Sequence, residues 1–406
     1  MKRVLSFALL FLITISVFSQ KKELKKIEKL INSGKYGPAN NQLKEVDSQA
    51  KGTEYESYLY FLYGKNAFGK NNKKNFPTAA KFFNKVLDTE LGLEKAKYSG
   101  KSISYIKIIN DFYFSTIADA LSKNNFESAG KTYETYSKIY PERRDLVTLT
   151  LYSYQNAKNK NKVEKITEKL LKLDKEPLSY NASNKYTKRE DEFFKKSERD
   201  NAIKKGTHEN PKDVKIKTKT RIDYYNILVR IYDKKEENQK ALKLLEDAKK
   251  EFPENTKFVE DYATVVLKTG DKEAYIKALE DLLKVKPDNR DTWINLGIVN
   301  QDLKKNEAAI SAYDKAIEVD PNYSGAYINK GLVIMSEEQS IINELNQNLR
   351  NKEKHAEISK KLEAMYLRAI PAFEKAYELK PSEGIKGALI NLYNATEQKE
   401  KATALE

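Results

Sequence analysis

From about Thr292 to Leu303, and again from Asn306 to Val319, apolar residues recur at the three- and four-residue spacing of a helix with one buried face. Each segment is near the length at which an isolated helix is marginal in water, roughly 12–15 residues, so the two must pack on one another and on neighbours. The same pattern returns at a fixed interval. Pro253, Pro287 and Pro321 each close an amphipathic run and lie 34 residues apart. A constant period of this length predicts a stack of repeated helix pairs. Gly297 marks where a facing helix comes close, because a mid-helix glycine costs about 1 kcal/mol against alanine. Ala309 and Ala316 supply a matching small stripe seven residues apart, and Pro321 stops the second helix.

Counting Arg290 as position 1, Trp293, Leu296, Gly297, Ala309, Tyr313, Ala316 and Pro321 occupy positions 4, 7, 8, 20, 24, 27 and 32. This arrangement resembles the tetratricopeptide repeat (TPR), with Asn300 in place of the usual tyrosine at position 11. Copies in phase begin at Ile222 (Tyr225, Leu228, Tyr232, Ala241, Leu245, Ala248, Pro253) and, more weakly, at Thr256, where Tyr275 stands at a small-residue position. Tyr327 and Gly331 open another copy, whose second half is Ala369, Phe373, Ala376 and Pro381. Fainter copies start at Asn110 and Arg144, and Gly64, Ala79, Phe83 and Gly34, Ala39, Leu43 suggest two more upstream. The resemblance implies an all-α fold, a right-handed α-solenoid of about eight helix-turn-helix units. The expected organisation is a leader at 1–19, divergent units over 20–177, a basic insertion or hinge over 178–221, further units over 222–383 with an extended hairpin at about 335–361, and a capping helix over 384–406.

The interruptions are polar. Residues 178–221 hold 13 Lys/Arg and 7 Asp/Glu. Thr187 and Glu190 have capping-box spacing, which predicts a helix from about Lys188 to Lys204 with Phe193 and Phe194 as its apolar contacts, ended by Asn210-Pro211. The segment reads equally as a partner-docking arm, a hinge or a degenerate repeat. In the second insertion Ile341, Ile342, Leu345 and Leu349 form one stripe, consistent with both helices of that unit extending into a hairpin.

Lys2 and Arg3 precede an apolar run over Val4–Phe18, which is shorter than the roughly 20 residues that span a bilayer. With small residues before Ser19/Gln20 it reads as a secretory signal, a retained membrane anchor being the alternative, and export to a periplasm or cell envelope is expected. The sequence has no cysteine, so lipid attachment, disulfides and thiolate metal sites are excluded. The net charge is +15, about +13 without Lys2 and Arg3. Lys and Glu alternate along most helices, so a solvated surface is favoured over a site for acidic polymers or lipids, and the expected export argues against a nucleic-acid partner. Peripheral contact with an anionic membrane or glycan stays open.

Catalytic chemistry has little to stand on. The two histidines, His208 and His355, lie 147 residues apart inside insertions, and no phosphate-binding glycine loop is present. No cofactor or metal is expected. The leading expectation is a non-catalytic scaffold that binds a protein segment or helix; an anionic-glycan or lipid-headgroup reader, or an accessory subunit of an envelope enzyme, is the alternative. In the family it resembles, positions 2, 5, 9 and 12 of each first helix line a concave groove. Carried over, these are Tyr58, Phe61, Lys65 and Phe68, then Phe114 and Tyr152, then Asn226, Arg230, Glu260, Ile294 and Ile298. Rings beside a lysine suit an extended peptide; packing of these rings between units is the equal alternative. Asp261 and Asp291 argue against the carboxylate clamp of chaperone-binding relatives.

Overall fold

The computed structural model describes residues 20–69, 71–173, 179–215 and 217–406; the expected leader lies outside them. The chain forms two compact units, Met1–Leu228 and Val229–Glu406. The first contains α1 (20–32), α2 (Tyr36–Ala50), α3 (Glu56–Phe68), α4 (Phe76–Glu90), α5 (Ser99–Ser122), α6 (Phe126–Ile139), α7 (Arg144–Asn156) and α8 (Lys160–Leu173). Then come β1 (Ser179–Asn184), β2 (Glu190–Phe193), α9 (Lys196–Lys204), β3 (His208–Val214) and the start of α10 (Thr218–Lys234). The second unit continues with α11 (Asn238–Glu251), α12 (Thr256–Thr269), α13 (Lys272–Val285), α14 (Arg290–Asp302), α15 (Asn306–Val319), α16 (Ser324–Ile334), α17 (Glu338–Gln347), α18 (Lys352–Leu379), α19 (Glu383–Ala395) and α20 (Lys399–Leu405). The architecture is a helical solenoid, interrupted by one small sheet.

Three periodic devices build the pairs. On each second helix two residues seven apart face inward: Ala39 and Val46, Ala129 and Tyr136, Ala241 and Ala248, Ala309 and Ala316, Ala369 and Ala376 are all buried. Tyr275, the odd ring at a small position, is buried too, against Ala263 and Leu279. Opposite them, the first helix offers a glycine. A Cβ added at Gly64 would stand 2.5 Å from Phe83, and one at Gly331 would stand 2.7 Å from Phe373; at Gly297 it would overlap Tyr313. Inside each pair, the turn residue takes a left-handed conformation: Asn124, Lys158, Glu236, Gly270, Lys304 and Glu397 have φ between 53° and 76°. Lysine and glutamate there cost roughly 1–2 kcal/mol, which burial of the paired helices offsets at about 1.5–3 kcal/mol per large apolar side chain.

Between pairs, the prolines act as acceptors as well as helix stops. The Trp293 indole N–H donates to the Pro287 carbonyl at 2.8 Å, and the Tyr327 hydroxyl donates to the Pro321 carbonyl at 3.1 Å. A tyrosine one pair further on then reaches back to a glutamate. Tyr154 donates to Glu134 at 2.9 Å, with Lys162 on the same carboxylate oxygen at 2.8 Å. Tyr393, Glu374 and Lys401 repeat this arrangement at 2.6 and 3.0 Å.

Four expectations are corrected. The basic segment does not form a helix from Lys188. It contains an antiparallel sheet of order β2-β1-β3, and only α9 is helical. The Asn184 side chain accepts the N–H groups of Tyr186 and Thr187 at 3.0 and 3.1 Å, which turns the chain back on itself, so the Thr187–Glu190 spacing serves a hairpin. Asn210-Pro211 lies within β3, an edge strand that tolerates the missing donor. Phe193 meets the His208 ring edge-on at 5.2 Å, and Phe194 lies under the Arg143 guanidinium at 4.2 Å. In the second insertion the first helix is not extended straight; it breaks at a 3-10 turn, Met335–Glu337, before α17. Ile341 is buried there while Leu349 is 65% exposed. The tail is a ninth helix pair, not a single capping helix: Glu397 makes the same left-handed turn, and Ala402 is buried at the small-residue position.

Candidate binding surfaces

Of the first-helix positions expected to line a groove, those on α3 are closed. Tyr58, Phe61 and Phe68 are all buried. Tyr98 stacks on Tyr58 at 4.9 Å and on Phe61 at 5.3 Å, and Tyr105 meets Phe68 at 4.9 Å and Phe83 at 4.8 Å. The reason is α5, whose 24 residues begin well before Asn110, so its N-terminal turns carry two rings onto α3 and α4. Lys65 is held as well, donating to Asn32 at 2.8 Å and lying 3.5 Å from Glu28. The Tyr58 hydroxyl donates to Glu28 at 2.5 Å, and burial, then that carboxylate, drives its pKa far above the ordinary tyrosine value. These four residues form a packing seam and are withdrawn as a binding surface.

Glu90 shows how this seam is fixed. It ends α4, is 5% exposed, and accepts the N–H groups of Tyr98 and Ser99 and the Ser99 hydroxyl at 2.7–3.1 Å. It therefore caps the start of α5. Burial alone would raise its pKa, but the hydrogen bonds from Ser99 and the Tyr98 and Ser99 backbone outweigh it and hold it below the usual carboxylate value.

Phe114 and Tyr152 are open, each 53% exposed on the first helices α5 and α7. Asn226 is half-buried and Arg230 exposed on α10. Glu260 is half-buried and bound by Lys286 at 2.5 Å. Ile294 is withdrawn as a groove residue: it is buried against the second-unit core. Ile298 is 43% exposed, and two residues not anticipated join it at groove columns, Leu332 at 50% and Leu267 at 55%. The signal was available: Leu332 is position 9 and Leu267 position 12 of their own copies. The structural signature residues Leu296, Gly297, Ala309, Tyr313 and Ala316 are buried, and Trp293 is half-buried.

A cavity of about 280 Å³ lies where the second insertion meets α15, α16 and α18, with Ile310, Val333, Ile341 and Met365 as apolar wall and Glu307 and Arg368 on the rim, 3.1 Å apart. His208 is engaged on both ring nitrogens, with Asp191 at 2.9 Å and Thr207 at 2.8 Å. No group of three or more potential metal ligands converges among the described residues, and no described helix is long and apolar enough to cross a membrane.

Two family models match. One described as tetratricopeptide repeat covers residues 291–323, and one described as YpiA-like C-terminal tetratricopeptide repeats covers 227–289. No curated protein matches the sequence. Similar solved structures include a crystal structure of MamA protein, 18% identical over 45% of this chain and 85% of that one, with a TM-score of 0.32. Another is MamA 41-end from Desulfovibrio magneticus RS-1, 15% identical over 45% and 89%, also at 0.32. Likeness of this degree carries no functional argument. The matched stretches and the glycine-against-ring pairs point the same way: the chain carries tetratricopeptide repeats over residues 227–289 and 291–323.

Proposed function

We propose that the protein is a non-catalytic scaffold of the bacterial cell envelope that holds a partner protein segment against the first-helix face of its second unit. The observation that carries this reading is the exposed trio Leu267, Ile298 and Leu332. Each stands at a family groove position, between neighbours that are buried or charged. Exposed apolar side chains at groove positions on three first helices suit an amphipathic helix or an extended segment, which would bury them and leave its polar face in water. The flanking Lys257–Asp261 pair at 2.7 Å and the Glu260–Lys286 pair add polar partners at the rim. The envelope location rests on the apolar stretch after Lys2 and Arg3.

A photo-crosslinking residue at position 298 tests the surface directly. It should capture a discrete partner that the same probe at Lys315, on the second helix, does not capture, and Leu332→Glu should abolish the product. Equal capture from both positions would remove the groove from consideration. Fractionation of cells expressing the tagged chain tests the location separately.

A further inference from the structure

The sheet of the first unit ends in a cationic tip that the groove reading leaves unused. The β1–β2 turn runs Lys185-Tyr186-Thr187-Lys188-Arg189, and all five residues are exposed. Tyr186, at 79%, is the most exposed large hydrophobic side chain among the described residues. The turn is built, not loose: Asn184 accepts the N–H groups of Tyr186 and Thr187, and Lys188 N–H donates to the Asn184 carbonyl at 2.9 Å. The Lys185 N–H donates to the Thr207 carbonyl at 3.0 Å. That bond brings the end of α9, with exposed Lys204 and Lys205, to the same end of the sheet. Five cations therefore stand beside two exposed carboxylates, Glu190 and Glu209. Only Lys185 is paired, at 3.8 Å from Glu209. Lys188, Arg189, Lys204 and Lys205 have no ion pair among the described residues.

We propose that this tip docks the protein on an anionic lipid bilayer. Basic residues within a Debye length of such a surface each add favourable energy, and a tyrosine, apolar in body and polar at its end, suits the headgroup layer. A single ring on a hairpin turn fits a flat charged surface better than it fits a nucleic-acid strand, which needs a groove and a row of stacking rings. Lys and Glu alternate along most helices, and at the tip unpaired cations coincide with an exposed ring. The sheet behind it is anchored to the helices by Lys195 on Asp88 at 2.7 Å, so force on the tip is carried into the first unit.

The test is co-sedimentation of the full chain with phosphatidylcholine vesicles, with and without phosphatidylglycerol. The apolar 4–18 stretch contributes to both vesicle types, so the readout is the excess on the anionic ones. The wild type should show an excess that high salt removes. K188E/R189E/K204E/K205E should lose at least ~tenfold of it. K352E/K354E/K360E/K361E, with the same charge change on exposed α18 lysines, should keep most of it. Tyr186→Ser should reduce the excess with charge unchanged, and it serves if the fourfold variant melts early by circular dichroism. No excess for the wild type, or equal loss in both charge variants, would overturn the proposal. So would tip-dependent binding seen with a single-stranded oligonucleotide and absent with vesicles.

Discussion

Gly297→Ala and Gly387→Ala are the same substitution in the middle of a helix, and the structure predicts opposite outcomes. At Gly387 a new Cβ meets nothing within 4 Å, so the alanine should stabilise by about 1 kcal/mol through helix propensity. At Gly297 the new Cβ would overlap the Tyr313 ring, with two further ring carbons at 2.7 Å, where ordinary contact begins at 3.4 Å. The ring must retreat by more than about 0.7 Å. It is fully buried, and its hydroxyl is tied to Gln301 at 3.1 Å, so it has nowhere to go without moving α15. Overpacking of this kind costs about 1–3 kcal/mol. Propensity is common to both variants and cancels in their difference, so Gly297→Ala should be less stable than Gly387→Ala by about 1–3 kcal/mol. Urea unfolding followed by far-UV circular dichroism compares the two, and emission from Trp293, on the same helix as Gly297, reports the local pair. The argument also demands coupling: Tyr313→Leu should cost less in the Gly297→Ala background than alone. A Gly297→Ala protein as stable as Gly387→Ala, or additive behaviour with Tyr313→Leu, would refute it.

Glu90→Gln should lower the melting midpoint at neutral pH, by about 1–3 kcal/mol for a buried charged cap. Because the folded pKa of Glu90 is depressed, its contribution is present above the ordinary carboxylate pKa of about 4.3 and lost as pH falls through the lower folded value, so the gap to wild type should close in acid. Glu198 has the reverse sign: burial, with Glu142 and Asp88 adding to it against Lys195, raises its pKa. Its favourable contribution is present below the ordinary carboxylate pKa and lost as pH rises through the raised one, so Glu198→Gln should stabilise at pH 7 and make no difference below pH about 4. Tyr154→Phe should cost about 1–3 kcal/mol in thermal melts by removing the donor to Glu134; an unchanged midpoint would reduce that contact to packing alone. Ala309→Leu, at a fully buried position, should cost about 1–3 kcal/mol.

The core of the second unit was legible because its period is written in residue types: a proline every 34 positions from Pro253 to Pro321, alanine at the small-residue positions of most copies, and a glycine facing a ring. The left-handed turns share that period but were not legible, since the conformation falls on Lys158, Glu236 and Lys304, residues that carry no turn signal. The rings on α3 had the right phase and the wrong surroundings. Whether Tyr58 faces a groove or a core depends on how far α5 extends toward its N-terminus, and periodicity on α3 cannot encode that. The sheet was hidden for a different reason. Its strands, SYNASN, EDEF and HENPKDV, lack the alternation of a half-buried strand, because most of its surface is solvated and its interior is Ala182, Ser179 and the buried Arg199 paired with Asp213. Of the candidate groove positions, Phe114, Tyr152 and Ile298 reach solvent and Ile294 does not, a difference set by tertiary neighbours.

Gly331 and Phe373 keep the contact that Gly297 and Tyr313 make, although 42 residues separate the first pair and 16 the second. Closing the longer loop adds only about (3/2)RT ln(42/16), roughly 0.9 kcal/mol. Burial of Ile341 and Ile358 and the 2.6 Å bond from Tyr366 to Glu338 are sufficient to offset it. The chain can therefore be lengthened at this point without disturbing the packing on either side. The turn at Asn348–Asn351, already remote from the glycine-ring contact, is a natural splice point at which a reporter domain could be carried by an otherwise intact stack.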